Sequence, residues 1–335
     1  MRAVIIATVG VALFVAQKVF AEQALFYKEA NLIGGYSDRD KWVGKSSELM
    51  NSVGFEYYRK FSNDYGDFLT ADLQMRLAYD SKSSAKNAWG LEIHNAWLQY
   101  KFNSVNKVKV GHFRPAFGLE QVLDTHGTIL QTLAPKNIGF KKDWGLALEG
   151  ALPNFDYSAA LQLGSGMSIY RRDRSFLSTF RIGTPSGRNA QSGLSFMYGK
   201  TLETEGMSTY PRSDLLSDTA VLKKRVGLDG QFNFGPYLMK SEVAFGTDEH
   251  KNVLGYLVEV DYTVPKLQNL ELELQYQSWQ HHLGEGDTDD STLTAGLSFK
   301  LSQSVTLRAA FMHDFNLMGG REDDQVLLQV YYFGL

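Results

Sequence analysis

The sequence predicts an all-β fold, a transmembrane antiparallel β-barrel of about 16 strands, and three observations carry that expectation. After an apolar stretch at the amino terminus, no run approaches the roughly 18 apolar residues that a membrane helix requires. Apolar and polar residues instead alternate over stretches of roughly ten, the length a tilted strand needs to cross a bilayer. The connections between those stretches alternate as well, tight turns with longer polar loops, as expected of short periplasmic turns and long extracellular loops. A soluble sandwich would alternate along each strand too, but it has no reason to obey that loop parity.

The amino terminus sets the compartment. Arg2 supplies one positive charge, Ala3 to Val15 is uncharged and apolar, and Val19-Phe20-Ala21 has the small-residue spacing of a cleavage site before Glu22. An apolar run of about 13 residues falls short of the roughly 20 that span hydrocarbon as a helix. Residues 1–21 therefore read as a signal peptide cleaved after Ala21, and 22–335 as a barrel exported to the bacterial outer membrane.

Composition narrows what the barrel handles. Removing Arg2 and Lys18 from the 34 basic residues leaves 32 against 37 acidic ones, a net charge of -5, so no nucleic-acid partner is expected. The absence of cysteine excludes disulfides, CxxC redox chemistry and c-type haem attachment in this chain.

Strands are expected near 25–36, 50–61, 67–79, 89–102, 106–115, 143–152, 155–164, 175–183, 191–200, 224–234, 236–246, 252–264, 268–279, 291–301, 304–315 and 325–335. Ala71, Leu73, Met75, Leu77 and Tyr79 alternate with Asp72, Gln74 and Arg76. Leu254, Tyr256, Val258 and Val260 interleave with Glu259 and Asp261, and Leu270, Leu272 and Leu274 with Glu271 and Glu273. The stretch from Glu29 to Tyr36 alternates poorly. Asn63-Asp64-Tyr65-Gly66, Pro153-Asn154, Phe234-Gly235-Pro236 and Ser302-Gln303-Ser304 carry turn residues. Aromatics such as Tyr57, Tyr100, Phe102, Phe245, Phe315, Tyr331 and Tyr332 fall near strand ends, where interfacial girdles sit. His112 sits awkwardly, because the phase of Val108 and Val110 points it outward.

A family resemblance emerges in the middle of the chain. Glu92-Ile93-His94-Asn95-Ala96-Trp97-Leu98-Gln99-Tyr100 followed by Val108-Lys109-Val110-Gly111-His112-Phe113-Arg114-Pro115-Ala116-Phe117-Gly118-Leu119-Glu120 resembles the phosphate-selective porin O/P family. The specific likeness covers roughly residues 89–166, and Pro115 stands one position before the family's proline. The resemblance implies a sixteen-stranded porin whose third long loop folds into the lumen.

The residues support an inward loop independently. Ala116 to Lys142 is a long connection without strand pattern, and its Leu123, Ile129, Leu130, Leu133, Ile138 and Phe140 call for burial. An outward lid is the competing expectation. If 116–142 narrows the pore, Arg114, Lys136, Lys141 and Lys142 with Glu120 and Asp124 are its charged residues, and Arg171, Arg172 and Arg174 form part of the mouth or contact lipopolysaccharide. Alternation places Arg76, Lys101, Lys107, Lys109 and Arg181 on the lumen wall, offset by Glu259, Asp261, Glu271 and Glu273. A phosphate channel needs a dense cationic path, which this mixed wall does not provide.

Other chemistry is weakly signalled. His281-His282 with Glu285, Asp287, Asp289 and Asp290 lacks a calcium-loop spacing, and Gly164-Ser165-Gly166 lacks the strand-to-helix context of a nucleophile elbow. No matched nucleophile, base and orienter fall at one rim, and no metal or cofactor is called for. The expected role is a passive pore for small hydrophilic solutes and ions, set in outer-membrane lipid and lipopolysaccharide, with the family resemblance implying an anion (phosphate-like) bias and a homotrimer as the expected assembly. The alternatives are a barrel sleeve around a cytochrome partner and an outer-membrane hydrolase.

Overall fold

The computed structural model describes residues 22–46, 49–79, 88–203, 209–210, 219–283, 289–317 and 321–335. The expected leader, 1–21, lies outside the described residues, as do Glu285 and Asp287 of the acidic loop.

Sixteen strands make one closed antiparallel barrel. In chain order they are β1 (Glu22–Ser37), β2 (Leu49–Asn63), β3 (Gly66–Tyr79), β4 (Trp89–Lys101), β5 (Asn106–Phe113), β6 (Asp143–Ala151), β7 (Asp156–Gln162), β8 (Phe176–Gly183), β9 (Ala190–Thr201), β10 (Val221–Phe234), β11 (Tyr237–Asp248), β12 (Lys251–Thr263), β13 (Leu270–Gln280), β14 (Asp289–Lys300), β15 (Val305–Leu317) and β16 (Arg321–Gly334). Each strand pairs with its neighbour in sequence, and β16 closes on β1 with Ala30 opposite Tyr332 and Gly34 opposite Leu328. Closure leaves no sheet edge whose unpaired N–H and C=O groups would face hydrocarbon, where each costs several kcal/mol. Two short pieces, Lys41–Val43 and Lys45–Ser46, extend the rim between β1 and β2 by pairing with Gly35–Ser37 and Leu49–Met50.

Every strand expected from alternation is present, with ends displaced by 4 residues at most. The period-two pattern separates two environments. On β3, Asp72, Gln74, Arg76 and Ala78 are buried inside while Leu77 and Tyr79 are exposed outside. On β12, Glu259 and Asp261 are buried and Val258 is exposed, and on β13 Leu272 and Leu274 face out. Exposed aromatics mark both ends of this apolar surface: Tyr100, Phe102, Phe155, Phe234 and Tyr237 at the turn end, and Tyr36, Trp42, Trp89, Tyr198 and Phe315 at the other.

Strand β1 alternates poorly in sequence for a structural reason. Glu29, Asn31, Ile33 and Ser37 face inward, and Ile33 is apolar because it packs on Ile129 and Leu130 from inside the barrel. Tyr331 is likewise not a girdle residue. It is buried inward, its ring against the Gly127 backbone. His112 is fully buried, 3.2 Å from the His94 carbonyl with its ring 4.9 Å from Trp144. The neighbouring β4 carries a bulge against β3, where Gln74 pairs with Asn95 and Met75 with Ile93, leaving His94 as the extra residue, while the β4–β5 register runs unbroken to His112.

One end of the barrel carries the connections 64–65, 102–105, 152–155, 184–189, 235–236, 264–269 and 301–304. The other carries 38–48, 80–88, 114–142, 163–175, 202–220, 249–250, 281–288 and 318–320. Two connections at this second end, 249–250 and 318–320, are as short as the turns opposite.

Candidate functional site

The connection 114–142 leaves β5 and crosses the lumen before it returns to β6, and the inner wall fixes it at each step. Its first limb is held through backbone donors: Ala116 N–H donates to Thr179 Oγ1 at 3.0 Å, Gly118 N–H to Ser195 Oγ at 3.0 Å, and Leu119 N–H to Glu242 Oε2 at 2.9 Å. Gly118 adopts φ 58, and a Cβ there would lie 2.4 Å from the Glu242 carboxylate, so close approach and left-handed backbone both require glycine. Its middle is held across the barrel, where the Gly127 carbonyl accepts from Arg308 Nη1 at 2.7 Å and Gln329 Nε2 at 2.9 Å. The last limb contains a single helical turn, α1 (Ala134–Asn137), started by Pro135. The Ile138 carbonyl then accepts from Thr201 Oγ1 at 2.8 Å, and Asn137 Oδ1 from Arg225 Nε at 3.1 Å.

Apolar packing accounts for the burial-type residues. Phe117, Ile138 and Phe140 join Leu177, Met197, Ala244, Val253 and Trp279 in one cluster on β8 to β13. Ile129 and Leu130 join Ile33, Ala310 and Leu327 on the far wall. Leu119 and Leu133 meet Leu257. Apolar residues at inward wall positions thus mark the loop's footprint, and burying each of the larger ones, such as Leu177, Val253 or Leu257, is worth about 1.5–3 kcal/mol.

A second connection also enters. Met167 of 163–175 packs on Met50 and Ala78, and Gly166 lies against the Phe140 ring. Asp143, the first residue of β6, holds this segment by accepting from Gly164 N–H at 2.6 Å. In sequence this connection shows only the arginines Arg171, Arg172 and Arg174 and the Gly164-Ser165-Gly166 stretch, neither of which signals its entry. Arg171 and Arg174 are exposed, Arg171 donates to the Ser175 and Arg174 carbonyls of its own loop, and among the described residues no ion pair joins either to the charges of 114–142.

Of the basic residues expected at the narrow point, Arg114, Lys141 and Lys142 gather on one side of the loop. Arg114 pairs with Asp124, with Glu120 at 3.8 Å, and donates to the Leu123 carbonyl at 2.8 Å. Lys142 is buried and donates to Asn95 Oδ1 at 2.7 Å, and Lys141 donates to Thr125 Oγ1 at 3.1 Å. Burial, reinforced by the neighbouring Arg114 guanidinium, pushes the Lys142 ammonium down to about 7. Lys136 lies apart, paired with Asp290 at 2.8 Å. Beside the group, Arg76 bridges Glu29 at 3.1 Å and Glu92, and His126 reaches Glu29 at 2.6 Å with its ring 4.2 Å from that of His94. Burial lowers the His126 imidazole. This histidine and Glu29 were not among the sequence candidates. A lone histidine in a loop carries no signal of a wall partner so distant in sequence.

The remaining wall candidates form local pairs. Lys107 and Lys109 both reach Glu149, at 3.5 and 2.7 Å. Arg181 grips Asp229 with two bonds, at 2.9 and 2.5 Å. Lys240 sits between Glu259 and Asp261, with Asp261 Oδ2 at 2.6 Å. Glu273 accepts from Ser298 Oγ at 2.9 Å, Glu271 lies two residues before it on β13, and Lys101 is exposed at the turn end. Among the described residues no group of three His, Asp or Glu side chains is placed to hold a metal.

Three cavities bracket the loop. One of about 10 Å³ is lined by Arg76, Arg114, Lys141, Lys142, His94 and His126. Another of about 60 Å³ lies between Asp124, Thr128, Gln131 and the wall residues Lys240, Glu259 and Glu273. Toward the turn end a polar vestibule of about 410 Å³ is lined by Lys107, Glu149, Arg181, Gln191, Gln231 and the loop's Gln121.

This architecture is a closed sixteen-stranded antiparallel barrel, the fold that porins share. Among solved structures, the chain is similar to OmpT, an outer membrane protein of Vibrio cholerae in trimer form, at TM-score 0.65 and 12% identity over 93% of this chain and 99% of that one. An anion-selective porin from Comamonas acidovorans matches at TM-score 0.62 and 12% identity, covering 93% and 100%. The outer membrane channel DcaP of Acinetobacter baumannii matches at TM-score 0.62 and 14% identity, covering 93% and 97%. No family model matches the chain, and neither does any curated protein sequence. At these identities the likeness establishes the fold, and the phosphate-selective resemblance gains no support beyond it.

Proposed function

We propose that this barrel is a passive outer-membrane pore for small hydrophilic solutes and ions, narrowed by residues 114–142. The carrying observation is the arrangement of that segment. It is tied to opposite walls through Glu242, Arg308 and Gln329, and it leaves a cavity of about 60 Å³ beside it and a polar vestibule of about 410 Å³ toward the turn end. Space of that size admits a few waters or a small hydrated ion rather than a bulky solute.

The same segment argues against a sleeve for a cytochrome partner, since it and Met167 occupy the interior such a partner would fill. A phosphate preference is not the reading the lining favours, because Arg76, Arg114 and Arg181 are already engaged by carboxylates. The residues at this interior offer pairing and anchoring rather than a nucleophile with its base, so the reading is a channel and not a hydrolase. The exposed apolar belt suits outer-membrane lipid, and the trimeric form of the Vibrio cholerae protein makes a homotrimer the assembly to test first.

Planar-bilayer recording tests the reading. Deleting Thr128 to Lys136 is expected to raise single-channel conductance, because it removes Ile129, Leu130 and Leu133 from their seats on the wall. An intact barrel whose conductance is unchanged by that deletion would place the narrow point elsewhere. Recovery of the protein as a soluble periplasmic species would sink the membrane assignment altogether.

A further inference from the structure

Resting on the pore reading, we infer that ions pass the loop on its acidic side, along β12 and β13, and that the pore prefers cations. Among the cavities beside the loop, two next to its middle differ in size and in charge. The basic one, lined by Arg76, Arg114, Lys141 and Lys142, measures about 10 Å³. A cavity must offer roughly 10–15 Å³ to hold one water, so this side has no room for a hydrated ion to pass. Its two arginines are also neutralised in place, Arg76 by Glu29 and Glu92, and Arg114 by Asp124.

The other cavity measures about 60 Å³, room for several waters. Glu259 and Glu273 line it against the cation Lys240, and Asp124, which also lines it, is already paired with Arg114. Asp261, which shares Lys240 with Glu259, stands directly opposite Glu273 in the ladder, so carboxylates outnumber the cation on this wall. A second, independent feature has the same sign. Gln131 lines this cavity and is buried to 7% exposure. Its Nε2 is committed to the Thr128 carbonyl, while its Oε1 has no partner. A buried carbonyl oxygen without a donor presents unopposed negative charge, which attracts a cation directly and repels a bare anion. Fixed carboxylates at a narrow, low-dielectric passage raise the local cation concentration and repel anions. Lys240 then acts as a built-in counter-charge that moderates the preference.

The test is the zero-current potential of the full-length barrel in a potassium chloride gradient. Wild type is expected to favour potassium. E259Q/E273Q should bring the permeability ratio toward unity, and K240Q, a single neutral substitution on the same wall, should raise it. K240Q keeps the test open if the double variant fails to assemble, with heat-dependent gel migration reporting assembly. Chloride preference in wild type overturns the inference, as does a ratio that neither variant moves, and in both cases the pore reading stands. An assembled barrel with no conductance overturns the pore reading and the inference with it.

Discussion

The two sides of the loop that crosses this barrel use similar side chains to opposite ends. On the β3 and β4 side, Arg76, Glu29, Glu92, His94 and His126 interlock around a void of about 10 Å³. On the β11 to β13 side, Lys240, Glu259, Asp261 and Glu273 line about 60 Å³ of space. The first arrangement satisfies charges with one another and so anchors the loop. The second leaves carboxylate and amide oxygens facing a cavity and so offers ions somewhere to go. Charge alone does not distinguish an anchor from a passage; the volume beside the charge does.

The sharpest way to break this comparison is to remove one charge from each side. Arg76→Ala strands Glu29 and Glu92, both buried, and breaking a buried pair costs about 3–5 kcal/mol. The expected outcome is a large fall in the guanidinium midpoint for barrel unfolding, together with noisy conductance from a loosened loop. Lys240→Ala should cost far less, because its carboxylates can take up water from the adjoining cavity. Equal losses in the two variants would mean that both sides are anchors.

A smaller effect is expected at the loop's seat on the far wall. Gly127 has φ 69, and a Cβ there would lie 2.5 Å from the Tyr331 ring. Gly127→Ala should cost roughly 1–3 kcal/mol from left-handed strain, plus whatever shift the ring demands. Tyr331→Leu in the same background should recover the part due to collision but not the part due to backbone strain. Full recovery would assign the whole cost to the ring.

How much of this was legible in the sequence follows from what alternation encodes. Period two sorts residues between lipid and lumen, so all sixteen strands could be placed, and Arg76, Arg181, Glu259 and Asp261 could be assigned inward. It says nothing about what fills the lumen. Ile33 fell in a stretch that alternates poorly and Tyr331 read as a girdle aromatic, because their partners, Ile129 and Gly127, lie on a loop far away in sequence. The bulge at His94 depends on one extra residue in the ladder, which shifts the phase without leaving a compositional mark. The cluster of Arg114, Lys141 and Lys142 was visible as a charge run, but its consumption by Asp124, Asn95 and Thr125 was not. Hence a basic run suggested a filter, whereas the space opens on the acidic wall.

Ionic strength sharpens the assignment of that wall. The Debye length falls from about 10 Å at 0.1 M salt to about 3 Å at 1 M. If Glu259 and Glu273 act through their field on ions in the cavity, potassium preference should weaken as salt rises at a fixed concentration ratio. A preference unchanged across that range would point to direct dehydration of the ion by tightly packed oxygens.

The smallest predicted effect comes from the anchoring side and is seen as pH dependence. Lys142 is pushed down to about 7 by burial and by Arg114, so it is charged below that pH and neutral above it. Losing a positive charge near the passage should increase potassium preference as pH climbs from about 6 to about 8. The step should be modest, since Lys142 opens only on the void of about 10 Å³ and its field reaches the larger cavity across the loop. Carboxylates titrating on the acidic wall would shift selectivity in the same direction, so the sign alone does not identify the group. Lys142→Met separates them, because it removes the step if Lys142 is the source and leaves it intact if the carboxylates are. The double substitution K141E/K142E should move the potential further toward potassium than Lys142→Met, since it adds negative charge as well as removing positive. A step that survives in Lys142→Met and disappears in E259Q/E273Q would transfer the pH sensitivity to the passage itself.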